Sequence, residues 1–295
     1  MQSKSYSIFD AHCDTLSVML DTAQEFSHNS CNIDLERQNR YNHYTQIFAC
    51  FIAPEYRGCA LERCINMIDL FRSRGIHGIL SIEGGDMITS LPVLKTLYRL
   101  GIRIAALTWN YSNHIASGAD EPDCSRGLTD FGKKLIPEMN RIGMYADVSH
   151  LNDKSFYDIA EISSAPIIAT HSNSRAVCGH RRCLTDDMFR IIVKSGGCTG
   201  INLYPPFLEI SGNACIDSVI RHIEHFMALG GENNIGIGAD FDGTDGLLPD
   251  GIGGCEDLYK IFDRLLQLNY TYEQVEKISH KNFERLFMPE RTTNA

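Results

Sequence analysis

What most constrains this chain is a pattern that recurs along nearly its whole length: a short run rich in β-branched and aromatic residues, then a longer run with apolar residues three and four apart. The first kind reads as a strand and the second as an amphipathic helix. Strands are predicted at 9–15, 44–52, 75–83, 102–109, 143–150, 166–171, 197–204 and 234–242. Helices are predicted at 59–74, 90–100, 130–141, 153–163, 185–195, 216–229 and 258–268, and the chain closes with a segment at 273–287. In the helix 59–74 the apolar positions are Leu61, Cys64, Ile65, Ile68 and Phe71. The polar stretch 16–40 reads as a loop closing over one end of the fold, and 288–295 as a frayed tail. No linker interrupts the alternation. It predicts one (β/α)8 barrel domain spanning 1–295 rather than a doubly wound open sheet, and 295 residues suit such a barrel. Neither of the glycine fingerprints of nucleotide-binding open sheets, G-x-G-x-x-G and G-x-x-x-x-G-K-[ST], occurs.

A barrel needs a large core, and 43% hydrophobic with 22% charged residues supplies one. The formal net charge of -10 argues against nucleic acid or an anionic membrane as main partner, since both demand a basic surface. A small-molecule substrate is the expected ligand. No run of about eighteen apolar residues is present to span a bilayer, and 1–9 does not read as a signal peptide. The expected location is therefore cytoplasmic, where the eleven cysteines, an odd number, are read as reduced and mostly buried thiols.

The polar residues of the predicted strands gather at one end. On a strand, side chains two apart share a face, so His12 and Asp14 in Phe9-Asp10-Ala11-His12-Cys13-Asp14-Thr15 are expected to point the same way. Alone, such a pair is an ordinary solvent-facing strand end. In (β/α)8 barrels, however, the working residues occupy the C-terminal strand ends. There Glu83 ends the third strand in Ser81-Ile82-Glu83-Gly84-Gly85, and His150 ends the fifth in Asp147-Val148-Ser149-His150. His171 ends the sixth in Ala169-Thr170-His171-Ser172, and Asp240 the eighth in Gly238-Ala239-Asp240-Phe241-Asp242.

Taken singly, Glu83 could cap a helix, the histidines could line a polar rim and Asp240 could belong to a turn. Crowded together, buried carboxylates and imidazoles are costly unless a cation faces them. The set exceeds what one tetrahedral ion needs and suits two ions that share a carboxylate. Glu83 is the expected bridge, its two following glycines letting the backbone pass close to the ions. His12 and Asp14 are expected to hold one ion, His150 and His171 the other. Two such ions, about 3.5–4 Å apart, would lower the pKa of a shared water toward neutrality, and Asp240, a carboxylate at the same mouth not required as a ligand, is the candidate proton shuttle.

These motifs, in this order and with Arg181-Arg182 beyond His171, resemble the renal or membrane dipeptidase family, the binuclear zinc peptidases of family M19 in the amidohydrolase superfamily. The resemblance runs from the first strand to the last. It implies a (β/α)8 barrel, two Zn2+ per chain bridged by Glu83, hydrolysis of dipeptides and a possible homodimer. It also implies that Arg182 binds the substrate's free C-terminal carboxylate and that Tyr204 contacts substrate. Spacing alone leaves Arg181 and Arg182 equally readable as a solvated basic pair.

One departure concerns substrate. Where mammalian members carry a substrate-binding histidine after the fourth strand, this chain has Leu107-Thr108-Trp109-Asn110, so Trp109 or Asn110 takes that place, with His114 near enough to substitute. The chain is also expected to lack the secretion signal and anchoring tail of membrane-bound members and looks like a soluble, microbial-type relative. The alternatives are another amidohydrolase, a deacylase or lactonase, on the same binuclear site, or a metal-binding scaffold without catalysis. A calcium loop at Asp240-Phe241-Asp242-Gly243-Thr244-Asp245 fails because its sixth position is Asp245 instead of glycine.

Overall fold

Eight parallel strands close on themselves in chain order, β1 pairing with β2 and so on until β8 returns to β1 through Asp10 and Ile237. They are β1 (Ser7–Cys13), β2 (His43–Phe51), β3 (Ile79–Glu83), β4 (Ile102–Ala106), β5 (Tyr145–Asp147), β6 (Ile168–Ala169), β7 (Cys198–Ile201) and β8 (Ile235–Ile237). The structure, a computed structural model, describes residues 6–287. The reading of 288–295 as a frayed tail lies outside those residues.

Helices cover the outside of the barrel: α3 (Ala60–Ser73), α4 (Leu91–Arg99), α5 (Asp130–Ile142), α6 (Asp153–Ile162), α7 (Asp186–Lys194), α9 (Ile216–Ala228) and α10 (Tyr259–Gln267). Polar residues set where several begin. Ser90, Thr129, Asn152 and Thr185 each accept a hydrogen bond from the backbone amide three residues on, satisfying a donor that the helix itself leaves free. Among the described residues, no helix is long and apolar enough to cross a membrane.

Four details differ from the sequence reading. The stretch 16–40 is not all loop: α1 (Thr15–Thr22) buries Thr15, Leu16, Ser17 and Met19, and α2 (Leu35–Gln38) is capped by Asp34. Their polar neighbours masked a two-turn apolar face. In α3 the buried residues are Ala60, Cys64, Met67 and Ile68, whereas Leu61 and Ile65 are exposed, so the face is rotated from the expected one. The strands also stop early; β5, β6 and β8 have three, two and three residues, and the chain reaches the barrel mouth as irregular backbone. A short α8 (Pro205–Leu208) in the loop after β7 was not expected either.

The N-terminal end of the barrel is shut by the end of the described chain. After α11 (Tyr272–Glu276) and a wide turn at Lys277–Lys281, α12 (Asn282–Phe287) pushes Phe283 into the bottom layer formed by Phe9, Ala11, Ile47, Ile104, Ile168 and Cys198. Phe283 stacks on Phe9 at 5.4 Å, and a Cβ on Gly236 would lie 2.5 Å from its ring, so glycine is required there. With that end closed and apolar, polar chemistry is confined to the other.

Candidate active site

At the open end Glu83, the last residue of β3, points its two carboxylate oxygens at different imidazoles. Oε2 lies 2.9 Å from Nε2 of His12, and Oε1 lies 2.6 Å from Nε2 of His150. His171 completes the second side, its Nε2 2.8 Å from that of His150. Asp14 Oδ1 and Asp240 Oδ1 each lie 3.8 Å from Nε2 of His12. The six side chains singled out from the sequence thus form one buried cluster.

Two local expectations are corrected. Asp14 does not reach the cluster by strand alternation: it lies one residue past β1, at φ -103° and ψ 13° before α1, and its amide donates to the Phe241 carbonyl at 2.8 Å. A turn tied to the β8 loop aims it. The glycines after Glu83 serve the neighbouring backbone, since a Cβ on Gly85 would sit 2.7 Å from the Leu107 carbonyl oxygen and one on Gly84 3.3 Å from that of Ile52. They let the β3 loop nest between the β2 and β4 loops.

The donor set fits divalent metal. His150 donates Nδ1–H to Oδ1 of Asn110 at 2.9 Å, and His171 Nδ1 lies 2.8 Å from the Thr170 hydroxyl. With both Nδ1 atoms so engaged, the facing Nε2 atoms present lone pair to lone pair, which a cation between them would relieve. Asp14 Oδ1 is buried without a hydrogen-bond partner. The donors fall into two groups that share Glu83: His12, Asp14 and Glu83; and Glu83, His150 and His171. A third group, His12, Asp147 and His171, adds a carboxylate to which the sequence reading gave no role.

The electrostatics agree. Burial pushes the Asp14 carboxyl well above its ordinary range, with Glu83 adding repulsion, and burial pushes Asp240 up to about 6. Burial would also raise Glu83, but the His150 and His12 imidazoles hold it well below the usual carboxylate range. Burial, aided by the Arg182 charge, lowers His150 to about 4; burial and then His12 lower His171. His150 and His171 are thus kept neutral; burial would lower His12 too, but the Glu83 and Asp14 carboxylates outweigh it and hold that imidazole well above its ordinary range, so an ion received there would displace a proton.

Above the cluster opens a cavity of about 590 Å3 whose lining includes Asp14, Glu83, His150, Asp240, Trp109, Asn110, Arg182 and Tyr204. Arg182 is only 4% exposed, its Nη2 3.1 Å from His150 Nε2 and its guanidinium 5.4 Å from the centre of the Phe207 ring. Its Nε and Nη1 have no partner, and no carboxylate pairs with it among the described residues. Arg181 differs: it is largely exposed and pairs with Asp120 at 3.3 Å. Tyr204 packs edge-on against Phe207 at 4.9 Å. Trp109 lines the cavity with its ring 5.7 Å from that of Phe51 and 5.6 Å from that of Tyr111. Asn110, expected among substrate contacts, lines the cavity and also accepts from His150 Nδ1. His114 does not substitute for the missing histidine: it hydrogen-bonds to the Ile88 carbonyl at 2.9 Å and stacks on Phe131, away from the cavity lining.

Four contributors carry no role in the sequence reading. Asn202 donates to Oδ2 of Asp240 at 2.9 Å. Asp10 accepts from the Ala239 and His12 amides at 2.8 and 3.3 Å and so joins the mouths of β1 and β8. Phe51 and Tyr56 line the cavity from β2 and the turn after it.

Comparison with known proteins agrees with this geometry. The model of the membrane dipeptidase family, peptidase family M19, matches residues 60–295. The chain is 34% identical over 247 residues to an uncharacterized protein of the pqqA 5′ region in Klebsiella pneumoniae, a match covering 80% of this chain and 86% of that protein. It is 35% identical over 233 residues to an uncharacterized dipeptidase of Schizosaccharomyces pombe, covering 75% of this chain but only 55% of that protein. Among solved structures it superposes on the dipeptidase AC of family M19 with a TM-score of 0.87 at 25% identity, covering 95% of this chain and 97% of the other. A metallopeptidase from Rhodobacter sphaeroides, solved with a phosphinate mimic of the dipeptide L-Ala-D-Ala, gives 0.84 at 25% identity, with 95% and 98% covered. On the family match and these relatives, the chain belongs to the membrane dipeptidase family M19 of metallopeptidases.

Proposed function

We propose that the chain is a zinc-dependent dipeptidase that hydrolyses the amide bond of dipeptides bearing a free C-terminal carboxylate. The observation that carries this reading is Glu83, whose two oxygens face the two halves of a buried histidine and carboxylate cluster beneath a cavity that also holds an arginine without a carboxylate partner among the described residues. His12 and Asp14 would hold one Zn2+, His150 and His171 the other, and Glu83 would contact both. Zinc held there supplies Lewis-acid polarisation of the amide carbonyl and makes water acidic enough to be a nucleophile near neutral pH.

The remaining work belongs to side chains. Arg182, buried and with free N–H groups, would take the substrate carboxylate in a bidentate pair and so set the scissile amide over the cluster. The last amide of a longer peptide stands equally far from its carboxylate, so rejection of longer chains would fall to the part of the cavity that receives the N-terminal side. Asp240, at the same mouth and held through Oδ2 by Asn202, would accept the water's proton on Oδ1 and return it to the leaving amine. Phe51, Tyr56 and Trp109, which line the same cavity, would offer the substrate's N-terminal side chain an apolar wall. The dipeptide mimic bound by the Rhodobacter sphaeroides relative supports a dipeptide-sized ligand.

Purified protein loaded with Zn2+ and offered L,L and L,D dipeptides, their C-terminal amides, tripeptides and N-acetyl amino acids tests the reading. Free dipeptides should be cleaved and the amides and tripeptides left intact. Preferential cleavage of N-acetyl amino acids would replace it with deacylation.

A further inference from the structure

We infer that Thr170 and Asp147 form one positioning unit that sets the tautomer and aim of two imidazoles at once, His171 and His12, one from each half of the centre. The inference rests on the metal-centre reading above, in which those two residues hold different ions. The Thr170 hydroxyl donates to Oδ2 of Asp147 at 2.5 Å. Asp147 acts only as an acceptor, its Oδ1 taking the Ser149 amide and hydroxyl at 3.0 and 2.6 Å and the Thr170 amide at 3.0 Å. The single Thr170 proton is thereby committed, and the one Ser149 proton as well.

The Thr170 oxygen can then only accept. Two groups approach it: Nδ1 of His171 at 2.8 Å and Nδ1 of His12 at a longer 3.4 Å. Both rings must present Nδ1–H to it, which leaves Nε2 forward on the Glu83 side, where a ligand lone pair is wanted. The two rings lie 3.9 Å apart at their centres, so one small hydroxyl serves both. Every member is buried, so no bulk water can replace the contact. Loss of the hydroxyl would strand two N–H groups and a carboxylate oxygen together.

The sequence placed Thr170 and Asp147 inside motifs without a role, because their neighbours His171 and His150 are the evident donors. What identifies them is a chain of distances between β1, β5 and β6. A merely structural threonine would be replaced by the isosteric valine with an effect on folding alone. A positioning hydroxyl would instead be missed by the metal.

The test is equilibrium dialysis of full-length wild type, Thr170→Val and Thr170→Ser against Zn2+ alone, joined to long-range 1H–15N spectra of the imidazoles in metal-free protein. Thr170→Val should bind both ions more weakly, by about 10–100-fold, while Thr170→Ser stays within a few-fold of wild type. The metal-free wild type and Thr170→Ser should show His171 as the Nδ1–H tautomer. Wild-type affinity in Thr170→Val, loss at one ion only, or an Nε2–H His171 in the wild type would overturn the inference. Should Thr170→Val fail to fold, the tautomer in wild type and Thr170→Ser still decides it. Absence of Zn2+ uptake by the wild type would instead overturn the metal-centre reading, leaving the tautomer as a separate result.

Discussion

Asn202 donates its side-chain amide to Oδ2 of Asp240 across 2.9 Å, leaving Oδ1 of the same carboxylate on the His12 side of the mouth. Asp240 itself sits at φ 62°, a backbone conformation that a non-glycine residue rarely adopts, and that aspartate tolerates better than most. The pair fixes which oxygen is free. Replacement of Asp240 by Asn should lower kcat by about 10²–10⁴-fold, the usual contribution of a positioned acid–base group, while bound Zn2+ stays at the wild-type level. Asn202→Leu should lower kcat less and leave KM nearly unchanged. Steady-state kinetics on L-Ala-L-Ala with metal analysis of the same samples reads both, and an active Asp240→Asn enzyme would remove it from proton transfer.

Arg182 carries a charge that nothing in the described structure neutralises directly. Burial disfavours that charge and lowers the guanidinium pKa, so an incoming carboxylate gains a partner already stripped of water. Arg182→Ala should reduce kcat/KM for free dipeptides by about 10–150-fold, the equivalent of about 1.5–3 kcal/mol for a charge-assisted hydrogen bond. The preference over dipeptide amides should shrink by a similar factor. A variant that keeps the wild-type preference would place the carboxylate elsewhere.

Trp109 lines the cavity and packs against Phe51 and Tyr111. An aromatic contact there is worth about 1 kcal/mol, or some fivefold, to a large N-terminal side chain. Trp109→Ala should therefore lower kcat/KM for Phe-Ala about fivefold relative to Ala-Ala measured on the same variant. Equal losses for the two substrates would show that Trp109 supports the site without contacting that side chain.

The barrel was legible because burial of both strand faces and one helix face writes itself into the spacing of apolar residues, and the cluster was legible because barrel chemistry sits at strand ends. What spacing could not convey was distance between loops. Arg181 and Arg182 are adjacent and chemically identical, yet one pairs with Asp120 at the surface and the other is buried against Phe207. Asn110 lines the cavity, but spacing could not show that it also accepts from His150, 40 residues on. Asn202, 38 residues before Asp240, had no motif at all. The short α1 was hidden because Asp14, Thr15, Ser17, Asp21 and Thr22 dilute an apolar face only two turns long.

His222 on α9 provides a pH-sensitive element away from the cluster. Its Nδ1 accepts from the Ser174 amide at 3.0 Å and its Nε2–H donates to the Leu208 carbonyl at 3.0 Å, so the neutral ring ties the loops after β6 and β7 to the helix. Burial lowers its pKa to about 4 from an ordinary value near 6.5. Between those values the unfolded chain binds a proton that the folded chain refuses, so the stabilisation is complete above about pH 6.5 and is lost as pH falls toward 4. The slope is about 1.4 kcal/mol per pH unit, or roughly 3 kcal/mol across the whole window. Urea unfolding of Zn2+-free protein from pH 7 to 4.5 should show this decline in wild type. In His222→Gln, whose amide does not titrate, the decline should be shallower even though stability at pH 7 is lower. Parallel pH profiles for the two proteins would mean that His222 is not the group taking up the proton.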